Sequence, residues 1–453
     1  MLGWNKLNWK DRDLSVKYID VLDGVRAFCV LIIVWFHFWQ QTWLMPVYPT
    51  PFLSWLGIEQ IDPNLLRRVG YLFVDALMLL SAFLLFLPYA RSMFLGEPEP
   101  SVKSFYKRRV ARIVPSYVLC ILIMLVIALV QGNYHGDWKF MLKDVFTHLT
   151  FTHMFFPDTY IFSQLNGALW VIAIEVQFYL VLPWLAKLFK KYHLLVLSGV
   201  MAVGLGFIYG FGSAWIRAGE AGLDRPIAMI YNQFPTFLPV FAIGMGCACL
   251  YVLYVKHCKW KRALGLPMAA VAIFALTLIW SMMEACMRAP NVQVWQMMYR
   301  LPLAGVFALF MLSLALAAKP LQVFFGNPIT KWLAAISYNL FIWHQMLLVW
   351  MRQSFGFGSG GDVATAGPHM QWILTVLGLI VSLFIAWLAT TLVEKPMANL
   401  ILRARARARA PQKPKDLPTD RFLHVVLAAS ASQSAKEGDC GQAQSVAVPE
   451  SSL

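Results

Sequence analysis

An all-α, polytopic membrane fold of about ten transmembrane helices is what this sequence predicts. Composition points there first: 59% of the 453 residues are hydrophobic, only 13% are charged, and the mean hydropathy is +0.61. A soluble globular domain does not carry so little charge. The apolar residues also fall into separated runs of about 18 to 24, the length a hydrocarbon core requires. None of these runs alternates apolar and polar residues as a half-buried strand would.

Taken in order, the runs lie near 25–45, 70–90, 112–131, 168–189, 194–211, 234–255, 264–283, 300–318, 334–351 and 372–393. The first 19 residues are polar and lack the apolar stretch of a cleavable signal peptide. Lys and Arg set the orientation. With the N-terminus inside, the inner segments hold 29 of the 38 basic residues, and they outnumber the outer ones even without the tail. Both termini are therefore expected in the cytoplasm, with residues 1–400 as the membrane domain. Residues 401–453 read as a basic, disordered cytoplasmic tail, beginning with RARARARA at 403–410. Such a polybasic stretch beside a membrane helix suits anionic lipid. The formal charge of +15 thus reflects basic loops and not nucleic acid. The later stretch FLHVVLAA is too short to span.

The first run, DVLDGVRAFCVLIIVWFHFWQQ, carries Arg26 near its start and His37 well inside it. Eleven residues separate them, roughly 16 Å along a helix and about 20° from a whole number of turns, so they share nearly one face. A histidine within an apolar span invites a functional reading, against the plain one of an anchoring arginine and a packed imidazole. The expected topology puts His37, Asp75, Glu175 and His344 together in one layer between the midplane and the outer leaflet. Ionisable groups at such depth pair or line a wet cavity. On the cytoplasmic side FYKRRVARIVPSY supplies Lys107, Arg108, Arg109 and Arg112, and Glu394-Lys395-Pro396 closes the last run. Clustered guanidinium groups suit phosphate, although a basic loop also serves topology alone.

These motifs resemble the acyltransferase-3 family of integral membrane acyltransferases. The matching stretches are YIDVLDGVRAFCVLIIVWFH, LFVDALMLLSAFLL, FYKRRVARIVPSY, LNGALWVIAIEVQFYLVLP, ISYNLFIWH and TLVEKP, in that order from about residue 18 to 397. The family's arginine, ten intervening residues and histidine fall on Arg26 and His37, and its Arg-x-x-Arg on Arg109 and Arg112. One departure is Ala82, which stands where the family has glycine after Ser81 and puts close helix approach there in question. Asp75 has no counterpart in the family pattern.

The resemblance implies transfer of an acyl group from a cytoplasmic acyl-CoA, with acetyl-CoA as the expected form, to a hydroxyl of a cell-surface or exported glycan. It implies a multi-pass protein of the bacterial cytoplasmic membrane. Arg26, Arg109 and Arg112 would hold the CoA phosphates. His37 would be the general base, a task matched by an imidazole near its ordinary pKa. Glu175 would orient it, with His344 as the next candidate. No cofactor is expected beyond acyl-CoA as donor substrate. Partners would be acyl-CoA, the acceptor and membrane lipid, with no nucleic acid.

Two other classes compete. A secondary transporter also places charge at the midplane, but it often shows repeated halves, and no repeat is evident here. A non-catalytic membrane assembly would explain the spans without the Arg, His and Glu motifs. Ser81 and Cys29 are possible carriers of a covalent acyl group, ranked below direct transfer. Cys247 and Cys249, two apart within a span, give neither a metal pattern nor a disulfide framework. In the loop at 131–168, His148 and His153 are five apart and miss helical metal-pair spacing. That loop reads as acceptor-side surface, and no metal site is expected.

Overall fold

The computed structural model describes residues 19–40, 47–56, 59–61, 64–222, 226–258, 263–354 and 368–409. The polar N-terminal stretch and the tail beyond residue 409 lie outside the described residues. Among the described residues nine helices are long and apolar enough to cross a membrane, and a bent pair supplies a tenth crossing. All ten expected spans are therefore present, several with shifted ends.

Helix α1 (Asp20–Gln40) starts five residues before its apolar run, with Asp20 and Asp23 in its first turn. Carboxylates there complement the positive end of the helix dipole, a signal that hydropathy alone ignores. Arg26 thus lies inside the helix, and His37 sits near the far end of the apolar stretch Asp20–Phe38. α2 (Phe73–Leu95) follows a short 3₁₀ turn and ends at Gly96, whose φ of 71° closes the helix in the left-handed conformation. α3 (Val102–Val130) begins ten residues ahead of expectation. The Lys- and Arg-rich segment before its apolar run is itself a good helix former, so the basic motif is helical.

A short helix α4 (Trp138–Leu149) lies in the following connection, and α5 (Trp170–Lys191) returns. α6 (His193–Leu205) widens into a π-helical stretch at Gly206–Gly212 and continues over Ser213–Glu220. α7 (Phe234–His257) and α8 (Gly265–Met287) follow. The eighth span is broken into α9 (Val292–Met298) and α10 (Arg300–Leu316), which meet at 68°. Pro302 cannot donate to the preceding turn and crowds its carbonyl, which accounts for the break. α11 (Pro328–Ser354) and α12 (Pro368–Ala389) complete the set. After α12 a π-turn at Thr390–Glu394 leads into α13 (Lys395–Arg409). Pro396 sits at the start of α13, and the wide turn before it relieves the same clash.

The helices pack into one compact unit ending at Leu402. α2 is apolar on all sides and buried along most of its length, which places it centrally, mostly against α7. Gly244 of α7 meets Ala82 here: a Cβ on Gly244 would come 2.6 Å from the Ala82 Cβ and from the Leu79 carbonyl oxygen. The close approach that the glycine-to-alanine departure puts in question is therefore made, with the glycine supplied by the opposite helix. Phe178 of α5 and Phe241 of α7 stack at 4.0 Å, joining the next pair. α6 and α8 expose most of their length and form the periphery.

Candidate active site

α1, α2, α3, α5 and α11 enclose a cavity of about 310 Å³. Helical spacing fills it in pairs: Asp23 and Arg26 on α1, Arg109 and Arg112 on α3, Glu175 and Tyr179 on α5. Residues three or four apart share a helix face, so each helix turns two polar groups inward. Ser81 on α2 and Ser337 and Tyr338 on α11 complete the polar lining, and Val30, Leu77, Met78 and Ile172 are among its apolar wall. The early start of α3 is what brings Arg109 and Arg112 onto a common face.

Within the cavity Ser81 Oγ donates a hydrogen bond to Glu175 Oε1. Arg26 is within electrostatic reach of Arg112, Asp23, Glu175 and Tyr179. The Arg109 guanidinium lies 5.7 Å from the Tyr179 ring centre and 5.8 Å from that of Phe105. Its Nε is buried without a hydrogen-bond partner, a donor directed at no protein acceptor. Three guanidinium groups against two carboxylates leave the chamber cationic and suited to an anion.

The TLVEKP motif joins the site from behind. Asn339 Nδ2 donates to Glu394 Oε2 at 2.6 Å and to Thr390 Oγ1 at 2.9 Å, both in the π-turn. Glu394 is in turn within electrostatic reach of Arg112. Tyr338 OH donates to the Ile113 carbonyl at 2.8 Å, tying α11 to α3 one residue past Arg112. Neither Asn339 nor Glu394 is singled out by sequence as a site residue, because their pairing depends on the wide turn before Pro396.

His37 is not part of this lining. Its ring meets that of His344 at a centroid distance of 4.7 Å. His344 is fully buried, its Nδ1 bonds the Leu340 carbonyl at 2.9 Å, and its Nε2 has no protein partner. Asp75 forms a third group with residues of the broken span. Its Oδ1 lies 2.9 Å from Arg300 Nε, and Gln296 Nε2 donates to Oδ2 at 3.1 Å. Arg300 also donates to the Tyr231 carbonyl and to Thr236 Oγ1, with its cation 3.9 Å above the Phe237 ring. The polar layer expected from depth is thus resolved into three groups, with Glu175 beside Ser81, His37 beside His344 and Asp75 beside Arg300.

The connection at 131–168 also departs from expectation. His148 and His153 are buried, and their rings stack at 4.0 Å with 8° between planes. Phe151, at φ 59°, reverses the chain after α4 and carries His153 back over His148. Asp144 Oδ1 lies 3.1 Å from His148 Nδ1, and burial together with His148 pushes the His153 pKa well below its ordinary value. These histidines are internal and not acceptor-facing surface. Among the described residues no group of His, Cys, Asp and Glu is arranged to hold a metal ion.

The family model described as an acyltransferase domain matches residues 19–391, nearly all of the helical unit. The chain belongs to the acyltransferase-3 family. It is 22% identical over 361 residues to the peptidoglycan O-acetyltransferase OatA of Listeria monocytogenes, covering 74% of this chain and 50% of that one. It is 23% identical over 421 residues to the acyltransferase MdmB of Streptomyces mycarofaciens, covering 87% of this chain and 95% of that one. The chain spans about half the length of the Listeria protein that it matches. No solved structure matches it. The cavity and the histidine pair fall within the matched residues, and Glu394, the partner of Asn339, lies three residues beyond them.

Proposed function

We propose that this acyltransferase-3 protein is a membrane O-acyltransferase that moves an acyl group, acetyl in the first instance, from acyl-CoA to a hydroxyl of a surface or exported glycan. The observation that carries the donor assignment is the cationic cavity, where Arg26, Arg109 and Arg112 converge and Arg109 Nε awaits an acceptor. Its size is at the lower end of the roughly 300–1,000 Å³ typical of small-ligand pockets, room for a thioester arm that ends in its diphosphate at the arginines, with the adenosine outside. The distribution of Lys and Arg supports a cytoplasmic position for this mouth.

On α1 the cavity lining reaches Val30, and His37 lies seven residues further, about 10 Å along the helix. The acyl arm would extend along this face to the histidine pair. There His37 takes the proton of the acceptor hydroxyl, whose oxygen attacks the thioester carbonyl. The carbon–sulfur bond breaks, and the departing sulfur takes the proton from the His37 imidazolium and leaves as the thiol of CoA. His344, held by its Leu340 bond, presents an unprotonated Nε2 when neutral and serves to position His37. Ten crossings, with both ends on the cytoplasmic side, would put this pair toward the outer face of the bacterial cytoplasmic membrane.

One observation favours a variant of this chemistry. Ser81 donates to Glu175 inside the donor cavity, short of His37, so an acyl-serine could carry the group part of the way. Purified protein in lipid nanodiscs with radiolabelled acetyl-CoA separates the readings. Thiol release and label transfer to a glycan, both lost in His37→Ala and Arg26→Ala without loss of folding, support transfer. Label retained on the wild-type protein and absent from Ser81→Ala supports the relay. Absence of CoA binding and thiol release with several acyl-CoAs would overturn both and favour transport.

A further inference from the structure

Helix α4 is amphipathic in the wrong sense for a helix that meets water. Its residues Trp138, Leu142, Phe146 and Leu149 are exposed, while Asp144, Thr147 and His148 are buried. At 100° per residue the four apolar side chains fall within an arc of about 80°, and the buried polar ones lie across the helix from them. Lys139 and Lys143 stand at one edge of the apolar arc. Lys143 Nζ pairs with Asp158 at 2.5 Å and lies 4.8 Å from the Phe156 ring centre. Phe155 and Phe156, just after the helix, add to the exposed apolar surface.

Four further facts select the occupant of this face. α4 follows α3 by seven residues, and the last turns of α3 expose Val126, Leu129 and Val130, the side that a spanning helix turns to lipid. At twelve residues, α4 is about 18 Å long and too short to cross the bilayer. Its exposed face combines Trp and Phe with lysines at the margin, the pattern of helices that lie at the boundary of acyl chains and headgroups. Its inward polar face is already committed to the protein. Asp144 Oδ2 accepts from Tyr134 OH at 3.0 Å and from Ser163 Oγ and the Gln164 amide at 3.1 Å, and Tyr117 OH donates to the His148 carbonyl at 2.9 Å.

We propose that α4 lies in the bilayer interface, with Trp138, Leu142, Phe146 and Leu149 inserted among the lipid chains and Asp144 and His148 turned to the protein. The helix then acts as a footing for the segment that follows. Asp144 holds Ser163 and Gln164, and two residues later Asn166 Nδ2 donates to the Ile342 carbonyl at 2.7 Å, two residues before His344. A membrane-seated helix is thereby linked, through a short hydrogen-bonded strap, to the turn of α11 that carries His344.

The test uses the full chain in nanodiscs, with Leu142→Cys, Phe146→Cys and Lys139→Cys variants labelled by a bimane fluorophore. Labelled wild type corrects for native cysteines. Emission is quenched in turn by phospholipid carrying a nitroxide high on its acyl chain and by aqueous iodide. Labels at 142 and 146 are expected to respond about threefold or more to the lipid quencher over iodide, and the label at 139 to both. Strong iodide quenching at 142 and 146 with no response to the lipid quencher would put the helix in water and overturn the proposal. Protection from both quenchers, with disulfide cross-linking between unlabelled Phe146→Cys chains, would show a second copy on this face and overturn it equally.

Discussion

The rings of His37 and His344 lie 4.7 Å apart, one carried by the first helix and the other by α11, more than 300 residues later. The Leu340 carbonyl fixes which His344 nitrogen carries the proton in the neutral ring. If His37 is the general base, His37→Ala should lower kcat by about 10²- to 10⁴-fold, the usual contribution of a positioned base. His344→Ala should lower kcat less, leave the KM for acyl-CoA nearly unchanged and alter the pH profile of kcat. His344→Gln, which retains hydrogen-bonding capacity, should recover part of the rate. Steady-state kinetics with thiol release as the readout checks each case.

The three cavity arginines should divide from the histidines kinetically. Arg109→Lys and Arg112→Lys keep the charge but lose the planar fork that grips a phosphate through two bonds. Each is expected to raise the KM for acyl-CoA about tenfold, with kcat changed less. A fall in kcat at unchanged KM would mean that these side chains act on the reacting atoms and not on the donor's anionic groups.

Which parts of this arrangement were legible in the sequence follows from the range of each signal. Apolar run length is local, so all ten crossings are legible, and Arg26, Arg109, Arg112 and Glu175 stand out through the motifs that carry the family resemblance. Helix starts depart from the apolar runs where charged residues continue the helix beyond them, as at Asp20 and Val102. Partnership is not local. Nothing near Asp75 announces Arg300, 225 residues away, nor does spacing reveal that Glu175 bonds Ser81. The loop that holds His148 and His153 reads as acceptor-side surface, and their spacing, judged as positions on one helix, misses a helical metal pair. The left-handed Phe151 between them removes the premise, since the two are not on one helix.

The Asp75–Arg300 pair is fully buried on both sides. Removing one partner from such a pair leaves an uncompensated charge and costs about 3–5 kcal/mol. Asp75→Asn and Arg300→Met should each lower the thermal midpoint in nanodiscs sharply. The double variant Asp75→Leu/Arg300→Met should recover much of the loss, because two apolar side chains need no pairing. A double variant as unstable as the sum of the singles would show that the Arg300 bonds to Tyr231 and Thr236, and not the ion pair, hold the broken span in place.

Gly244 offers a packing test of the α2–α7 contact. A methyl group there would lie 2.6 Å from both the Ala82 Cβ and the Leu79 carbonyl oxygen, closer than a packed core allows. Overpacking of this kind costs about 1–3 kcal/mol. Gly244→Ala should therefore destabilise the protein, and combining it with Ala82→Gly should restore stability. Failure of the second change to rescue the first would point to the Leu79 backbone as the deciding clash.

His153 makes stability depend on pH in a defined direction. Its ring is buried against His148, its Nδ1 has no protein partner, and its pKa lies well below the ordinary histidine value because burial, and then the neighbouring imidazole, disfavour the cation. In the unfolded chain the same side chain titrates near its unperturbed value of about 6.5. Below that pH the unfolded state binds more protons than the folded state, so stability falls as the solution becomes more acidic. The contribution is fully present above about pH 6.5 and is lost progressively down to the folded pKa, by up to about 1.4 kcal/mol for each pH unit. His153→Phe keeps a ring to stack on His148 and removes this proton site. The thermal midpoint of wild type in nanodiscs should drop between pH 7.5 and pH 5, and the drop should be smaller in His153→Phe. Equal slopes for the two proteins would assign the acid sensitivity to a group other than His153.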